Sequence, residues 1–402
     1  MFQDFTLCIN TKFVFGHDAE TKVGEELAAL GGVHTVLLHH DGGAYLTQLV
    51  DTIKASLKAV GIGFVEFVGV QPNPRLNTVR KAIDFARENK VDAVVAIGGG
   101  SAIDSGKAIA LGVANDGDVW DFFTGKRKVE KTLPVAAVLT NPASGSESSQ
   151  VTVVNNEDEH MKLLVSVPVI RPVLAFMNPA LTASVPAFPT ACGIVDMFSH
   201  ICERYFTDND DFGVIDRMAE GALRTLTQVG PQCLADLSNY EYRAQIMWTA
   251  TVAQNNTLGI GREQDWSTHL LGNELSALYD TPHGATLSIM MGAWMNTACK
   301  KNPRRFARYA QEVFGLHDET MDAMVLARRG IEATQRFFVS LGMPISFDDY
   351  QVPTDGVEQM LDNIEFYGPD HTIGAVARLN RDDCRQIYRD AFHRADAASF
   401  WK

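Results

Sequence analysis

Residues 91–111 read VDAVVAIGGGSAIDSGKAIAL, and this stretch decides the fold. Its first seven residues are an apolar run with the length and composition of a buried β-strand. Three glycines and Ser101 follow directly, and the rest has the pattern of a helix that begins near Ser101. A strand, a glycine turn and a helix start present backbone N–H groups, and the helix dipole favours an anion there. The stretch predicts a phosphate-binding turn or, without a ligand, a tight βα turn.

Similar strand and helix patterns surround this stretch in the first half of the chain. The predicted strands are Thr35–His39, Gly63–Gly69, Ala93–Ile97, Val135–Leu139 and Val173–Met177. Amphipathic runs between them, such as Leu46–Val60 and Leu76–Asn89, predict crossover helices. Alternation of this kind indicates βαβ units, so we expect an α/β domain with a mostly parallel sheet over residues 1–183.

The period changes to about 3.6 residues in the second half. The predicted helices are Thr190–Tyr205, Val214–Val229, Tyr240–Asn255, Asp265–Tyr279, Ala285–Lys300, Pro303–Val313 and Met321–Leu341. Strand signals are nearly lost there. We therefore expect an all-α domain over residues 184–402.

Two more loops follow predicted strands of the first domain. Residues 140–149 read TNPASGSESS, which is rich in small and hydroxyl residues. Loops of this kind at the ends of parallel strands suit a dinucleotide, although a solvated turn fits the composition as well. Asp41-Gly42-Gly43 ends another strand. Asp41 could accept hydrogen bonds from the adenosine ribose and repel a 2′-phosphate, or it could simply form the turn.

A carboxylate and three histidines in the second domain form a candidate metal-ligand set. Asp196 and His200 are four residues apart on an apolar helix, so they share one face. A buried Asp/His pair is either hydrogen-bonded within the core or bound to a metal. His269 and His283 would complete a set of three nitrogens and one oxygen, which suits Zn²⁺ or Fe²⁺ better than Mg²⁺ or Ca²⁺. The spacing alone does not show that the two pairs meet.

Composition and charge exclude several classes of protein. The formal net charge is −14, and a nucleic-acid partner would need a positive surface. No apolar run has the length of a membrane-spanning helix, and the first residues lack the pattern of a signal peptide. The six cysteines are scattered and suit a reduced compartment. We expect a cytoplasmic protein that binds neither membranes nor nucleic acids.

In order and spacing these motifs resemble the iron-containing (group III) alcohol dehydrogenase family, over nearly the whole chain. The resemblance is closest to the branch of butanol dehydrogenases and broad-range aldehyde reductases. The segments that carry it are Pro72–Pro74, Gly98–Ser101 with Asp104 and Lys107, Ala143–Glu147, Gly193–Asp196 with His200, Asp265-Trp266 with His269, and Pro282–Gly284.

The resemblance implies a dehydroquinate synthase-like architecture, an active site in the cleft between the domains, and a homodimer. It implies that Asp196, His200, His269 and His283 are the metal ligands. It places the dinucleotide against Asp41, Asn73, Gly99, Gly100, Ser101, Thr140, Ser144 and Lys162. Asp104 would lie near the nicotinamide, so we expect Asp104, His269 and His283 around the reacting groups.

The chain departs from the family pattern at three positions. Members usually carry a histidine four residues after the first of the downstream pair, where this chain has Asn273, which cannot titrate. Ser144 replaces the usual threonine and keeps the hydroxyl. Asp41-Gly42-Gly43-Ala44 stands where this branch usually has glycines and serine that accommodate NADPH, which favours NAD(H) over NADP(H).

These observations predict a metal-dependent alcohol dehydrogenase or aldehyde reductase acting on a small alcohol or aldehyde, with one Zn²⁺ or Fe²⁺. The nearest alternative is a dehydroquinate synthase-like or glycerol-phosphate dehydrogenase-like enzyme. Its anionic substrate would need several cations, yet residues 188–283 contain no lysine. A non-catalytic metal- or nucleotide-binding relative is the other alternative, and only Asn273 favours it.

Overall fold

The computed structural model describes residues 3–159, 161–208, 213–318 and 320–393. Contacts divide these residues into two compact units. The sheet unit comprises residues 8–185 and 238–255, and the helical unit comprises the described parts of 1–7, 186–237 and 256–402. The sequence-based limits, 1–183 and 184–402, assign residues 238–255 to the second domain and stay a prediction.

Eight strands are present among the described residues, all in the sheet unit. They are β1 (Lys12–Phe15), β2 (Thr35–His40), β3 (Gly63–Val68), β4 (Ala93–Gly99), β5 (Val135–Asn141), β6 (Val151–Asn156), β7 (Met161–Ser166) and β8 (Leu174–Met177). Six of them form one sheet in the order β1-β8-β5-β4-β2-β3, and every neighbouring pair is parallel. β6 and β7 form a separate antiparallel pair. The predicted α/β class with a parallel sheet is confirmed.

The described helices cover both units. They are α1 (Val23–Leu30), α2 (Thr47–Ala59), α3 (Leu76–Glu88), α4 (Gly100–Ala114), α5 (Trp120–Phe123), α6 (Ala187–Tyr205), α7 (Val214–Ala235), α8 (Tyr240–Gln254), α9 (Ser267–Tyr279), α10 (His283–Ala298), α11 (Pro303–Phe314), α12 (Ala323–Ser340), α13 (Phe347–Tyr350), α14 (Val357–Asn363) and α15 (Arg381–Asp390).

Side chains of the sheet are buried on both faces. On β2, Val36 and Leu38 join a core with α1 and α2, whereas Leu37 joins a second core with α3 and α4. Successive residues of a strand point to opposite faces, so helices on both faces require an uninterrupted apolar run. This is why the strands read as continuous rather than alternating hydrophobic segments.

The helical unit packs around α10. Every residue from Gly284 to Met295 is buried, as expected for a helix that is apolar on all sides. α6 and α9 both pack against α10, and this packing positions the residues of the candidate site. Among the described residues, none of the helices combines the length and the hydropathy that a membrane crossing needs.

The structure differs from the sequence-based elements at a few places. Helix α4 begins at Gly100 with Gly99 as its N-cap, slightly before the predicted start near Ser101. The reason is that β4 continues into the glycines, where Gly99 still pairs with Asn141 of β5. Strand β1 and the β6–β7 pair were not predicted. Helix α7 ends at Ala235 and not at Val229, and the other predicted strands and helices lie within three residues of their predicted bounds.

Candidate functional site

Three helices bring the four predicted metal ligands together. Asp196 and His200 lie one turn apart on α6, His269 lies in the first turn of α9, and His283 is the first residue of α10. Asp196 Oδ1 lies 3.5, 3.5 and 3.6 Å from Nε2 of His200, His269 and His283. One ligand atom each from Asp196, His200 and His269 lies within 4.8 Å of the others. The two pairs, which spacing alone could not join, are therefore adjacent.

This arrangement fits a divalent ion. Donors around a tetrahedral ion at about 2.1 Å are about 3.4 Å apart, close to the separations measured from Asp196. Asp196 Oδ1 and His269 Nε2 are buried and have no hydrogen-bond partner among the described residues. A buried polar atom without a partner carries a desolvation cost that a bound cation would remove. The donor set of one oxygen and three nitrogens suits Zn²⁺ or Fe²⁺.

The charges of the cluster are strongly coupled. Burial would raise the pKa of Asp196, but the surrounding imidazoles, His200 first, hold it below its usual value. Burial lowers the pKa of His200 well below its usual value. Burial also acts to lower the pKa of His269, but the carboxylates of Glu203 and Asp196 outweigh it and raise that pKa to about 9. The site therefore keeps an ionised carboxylate beside imidazoles of very different basicity.

Two residues that contact this cluster were given no role at the site from the sequence, although Trp266 lies in one of the motif segments. Glu203 is fully buried on α6 and accepts a hydrogen bond from Nδ1 of His269. The ring of Trp266 packs edge-to-face on His200 and His269, with centroid distances of 5.9 and 5.3 Å. Glu203 lies three residues after His200 and seven after Asp196. This i, i+4, i+7 row of polar side chains on an apolar helix was the signal that could have found it.

The candidate dinucleotide loops lie at the carboxyl edge of the parallel sheet. The chain runs from β2 outward to β3 and then returns to the other side of β2 as β4, so the strand order reverses between β2 and β4. Ligands of open parallel sheets bind at such a switch point. Asp41 follows β2, and the glycine turn from Gly98 to Gly100 ends β4, so these two loops flank it.

The glycine turn packs closely against the loop after β5. A Cβ on Gly100 would lie 2.3 Å from Ser144 Oγ, and one on Gly99 would lie 3.1 Å from the Cβ of Asn141. Thr140 is buried at the end of β5, and Asn141 Oδ1 is a buried atom without a hydrogen-bond partner among the described residues. The backbone of Gly99 and Gly100 carries no side chain, and Asn141 Oδ1 is an acceptor beside it. This combination suits a polar ligand that approaches the main chain closely.

Asp41 forms a turn and keeps room for a ligand. Its Oδ1 accepts a hydrogen bond of 2.8 Å from the Gly43 N–H, and its Oδ2 accepts one from the Tyr45 hydroxyl. Burial and the Asp41 carboxylate raise the pKa of Tyr45 to about 12, so this hydroxyl stays a donor. A carboxylate has about four acceptor positions, so the turn leaves some for ribose hydroxyls. The two interpretations of Asp41 are compatible.

Asp104 and Lys107 of α4 are held within the protein. Asp104 accepts hydrogen bonds from Ser146 Oγ and from the Val153 N–H. Lys107 is fully buried and donates to Ser146 Oγ and to two main-chain carbonyls, and burial lowers its pKa to about 8. These contacts tie α4 to the loop after β5. The expected position of Asp104 near the nicotinamide stays a prediction.

The remaining predicted contacts lie at the same edge. Asn73 follows β3 and has a left-handed backbone, with φ of 55°. Lys162 on β7 donates a hydrogen bond of 3.3 Å to Asn73 Oδ1, which joins the β6–β7 pair to the loop after β3. Ser101 is the second residue of α4, where its backbone N–H faces the helix start.

Helix α8 supports the loop after β5, which the sequence did not indicate. Gly145 has φ of +63°, and a Cβ there would lie 2.5 Å from the carbonyl oxygen of Ala250. The Thr251 hydroxyl donates a hydrogen bond of 2.6 Å to Glu147, a fully buried carboxylate. Although α8 lies in the second half of the sequence, it packs within the sheet unit.

Comparisons with known proteins agree over both halves of the chain. Residues 10–179 match the family described as iron-containing alcohol dehydrogenase, and residues 190–392 match the Fe-containing alcohol dehydrogenase family, C-terminal. The chain belongs to the iron-containing alcohol dehydrogenase family. This membership confirms the family predicted from the motifs and supports a dehydrogenase over the dehydroquinate synthase-like and non-catalytic alternatives.

Several members of the family are similar along their whole length. NADH-dependent butanol dehydrogenase A of Clostridium acetobutylicum is 37% identical over 96% of this chain and 99% of its own length. The NADPH-dependent aldehyde reductase YqhD of Escherichia coli is 33% identical, with 96% and 99% covered. The crystal structure of NADH-dependent butanol dehydrogenase A from Thermotoga maritima superposes with a TM-score of 0.92 at 35% identity, covering 98% of this chain and 99% of that one.

Proposed function

We propose that this member of the family is an NAD(H)-dependent alcohol dehydrogenase or aldehyde reductase that acts on small, uncharged substrates with one Zn²⁺ or Fe²⁺. The observation that carries the proposal is the cluster in which Asp196 Oδ1 lies 3.5–3.6 Å from three imidazole nitrogens. Asp196, His200, His269 and His283 would hold the ion. When bound, the ion supplies Lewis-acid polarisation of the substrate oxygen, and the nicotinamide supplies or accepts the hydride.

The protein's own part is to bind and to orient. The packing of α6 and α9 against α10 supports this part, because it brings the four proposed ligand residues close to one another. The backbone N–H groups at the start of α4 would take the cofactor's phosphates. The residues that we propose for the dinucleotide are Asp41, Asn73, Gly99, Gly100, Ser101, Asp104, Thr140, Ser144 and Lys162.

A preference for NAD(H) is supported by two observations. The Asp41 carboxylate is exposed at the switch point, where it would repel the 2′-phosphate of NADP(H). Two butanol dehydrogenases with 37% and 36% identity are named NADH-dependent, whereas the NADPH-dependent aldehyde reductase is 33% identical.

The buried arginines of the helical unit favour an uncharged substrate over an anionic one. Arg204 is fully buried and stacks on the Trp266 ring at 4.5 Å, and Arg262 is buried against Asp216. Both guanidinium groups therefore make internal contacts, so they would not be available to bind the phosphate of a phosphorylated substrate. Asn273, one turn after His269 on α9, can orient a substrate oxygen but cannot exchange a proton with it.

The proposal is tested by NADH oxidation with butanal, measured before chelation, after chelation and after return of Zn²⁺ or Fe²⁺. We expect activity to be lost on chelation and restored by one of the two ions, with bound metal near one per chain. Full activity in protein shown by mass spectrometry to be metal-free would contradict the metal role. No turnover after reconstitution would contradict the dehydrogenase.

We also propose a homodimer that works in the cytoplasm. β1 is the edge strand of the six-stranded sheet, and Phe15 at its end is 42% exposed, so the segment Phe5–Gly16 could pair across a dimer. None of the six cysteines, all of which lie in the described part of the chain, forms a disulfide, which suits a reducing compartment. Removal of residues 1–16 should yield a monomer by light scattering, and a clean dimer would contradict this pairing.

A further inference from the structure

The imidazoles of the candidate metal site differ in what holds their second ring nitrogen. Nδ1 of His269 is bonded to Glu203 Oε2, and Glu203 Oε1 accepts the backbone N–H of His269 at 3.0 Å. Nδ1 of His200 is buried without a hydrogen-bond partner among the described residues. Glu203 therefore hydrogen-bonds to both the ring and the backbone of His269, whereas Nδ1 of His200 has no such hydrogen bond among the described residues.

The hydrogen bond from Nδ1 to Glu203 selects one tautomer of His269. An ionised carboxylate can only accept hydrogen bonds, so Nδ1 must carry the hydrogen. The lone pair of the neutral ring is then on Nε2, the atom that lies 3.5 Å from Asp196 Oδ1. Without Glu203, the tautomer with hydrogen on Nε2 would also be available, and that form cannot bind the ion through Nε2.

The ring of His269 in turn orients its neighbour. His200 stacks on His269 with ring centroids 4.6 Å apart and an angle of 12° between the planes. The ring of Trp266 packs edge-to-face with the rings of both His200 and His269. Because His200 lacks a polar partner on Nδ1, this packing is what fixes its plane. A displacement of His269 would therefore displace a second ligand.

Glu203 is itself rigidly placed. It is fully buried on α6, and its main-chain carbonyl accepts a hydrogen bond of 2.9 Å from the Asp265 N–H at the approach to α9. The carboxylate of Asp265 binds the N–H groups of Ala375 and Val376, so this approach is anchored from a third segment. Asp196 and Glu203 bring two buried carboxylates to the site, and a divalent cation would balance both charges.

We propose that Glu203 is the positioning residue of the metal site, which fixes the tautomer and plane of His269 and, through ring stacking, the plane of His200. This inference rests on the proposed metal site and adds to it a residue that does not touch the ion. Carboxylates bonded to a metal-binding histidine typically change metal affinity 10- to 100-fold when removed.

The test compares Glu203→Gln with Glu220→Gln. Glu220 is also a buried glutamate of the helical unit, but it bonds Tyr205 and Arg308 and contacts none of the proposed ligands. Zn²⁺ affinity of each metal-free protein is measured by competition with a chromophoric chelator, with the visible spectrum of the Co²⁺ form as a second readout. We expect about 10- to 100-fold weaker Zn²⁺ binding and an altered Co²⁺ spectrum for Glu203→Gln. Glu220→Gln should lower the melting temperature and leave both metal readouts unchanged.

A double-mutant cycle separates positioning from a general loss of structure. In a His269→Ala background, Glu203→Gln should weaken Zn²⁺ binding no further, because the residue acts through that ring. If Glu203→Gln does not fold, Glu203→Asp replaces it, since the shorter side chain cannot reach both the ring Nδ1 and the backbone N–H of His269. Zn²⁺ affinity within threefold of the unaltered protein, or an equal loss in both backgrounds, would overturn the proposal. Failure of the unaltered protein to bind Zn²⁺ would instead overturn the metal site itself.

Discussion

The metal cluster and the dinucleotide edge are built from different parts of the chain. The cluster consists of a few side-chain atoms, and Asp196 Oδ1 lies within 3.6 Å of three of them. The edge consists mainly of backbone, glycine turns and short polar side chains that already bond one another, as Asp104 does with Ser146 and Lys162 does with Asn73. The first site depends on donors, and the second depends on shape and free space.

This difference decides how each site can be broken. Loss of one donor removes a ligand that no neighbour can replace, so the cluster should fail at a single truncation. The edge has many weak contacts, so truncating one of them should have little effect. It should fail when a side chain is added at Gly99 or Gly100, where the loop after β5 packs too closely for a Cβ.

The largest effect is expected for His269→Ala. Turnover should fall by about a thousandfold or more, because the charge-stabilising ion is lost along with its ligand. NADH binding, followed by energy transfer from tryptophan to the nucleotide, should be unchanged. His317→Ala, which alters an exposed histidine outside the cluster, is the matched control. Near-normal activity of the His269 variant would contradict the metal site.

A smaller and opposite pattern is expected for Gly100→Val. The added Cβ would lie 2.3 Å from Ser144 Oγ and 3.2 Å from Ser144 Cβ, so the Ser144 side chain must be displaced. NADH affinity should fall about 10- to 100-fold through this misplacement, while Zn²⁺ affinity stays the same. Gly221→Ala on α7, where a Cβ would meet nothing within 4 Å, is the control. Unchanged NADH affinity would show that the glycine turn is only a βα connection.

The pH dependence of metal binding should distinguish the two sites further. The pKa of His269 is raised to about 9, and its Nδ1 is bonded to Glu203, so the proton bound below pH 9 is on Nε2. Because the ion must displace that proton, Zn²⁺ affinity should rise about tenfold per pH unit from pH 6 and level off near pH 9. Calorimetry in buffers with different ionisation enthalpies counts the released proton. A flat profile would contradict this account, and NADH affinity is the internal reference.

The smallest effect is expected for Asp41→Ala. Removing the carboxylate should shift the ratio of kcat/KM for NADH to that for NADPH about fivefold to tenfold toward NADPH, through loss of repulsion. Asp51→Ala on α2 removes one exposed carboxylate outside the proposed cofactor contacts and serves as the control. An unchanged ratio would leave Asp41 as a turn-forming residue only.

Hydrophobic patterns predicted the parallel strands and the long helices. A strand buried on both faces is a continuous apolar run, and a helix with one buried stripe has apolar residues with a period near 3.6. These patterns missed β1, which has four residues, and β7, in which only Val165 is buried, because such strands bury too little to show a period. They also missed β6, which is largely buried, because polar residues at half of its positions, VTVVNN, interrupt the apolar run. The pair Asp196 and His200 could be found because a helix fixes i, i+4 neighbours. The approach of His269 and His283 depends on how α6, α9 and α10 pack, which local sequence does not encode.

Other contacts depend on tertiary structure in the same way. Glu203 left a weak signal as a polar residue on an apolar helix, but only the folded chain shows that it meets His269. The support of the Gly145 loop by Thr251 of α8 joins residues more than a hundred positions apart. Such contacts depend on how distant segments pack, which no local pattern encodes.

The most direct test of the central claim is anomalous diffraction at the metal absorption edge from crystals of the metal-loaded protein. We expect one peak within about 2.0–2.2 Å of Asp196 Oδ1 and of Nε2 of His200, His269 and His283. A peak elsewhere, or one that contacts fewer than three of these residues, would contradict the claim.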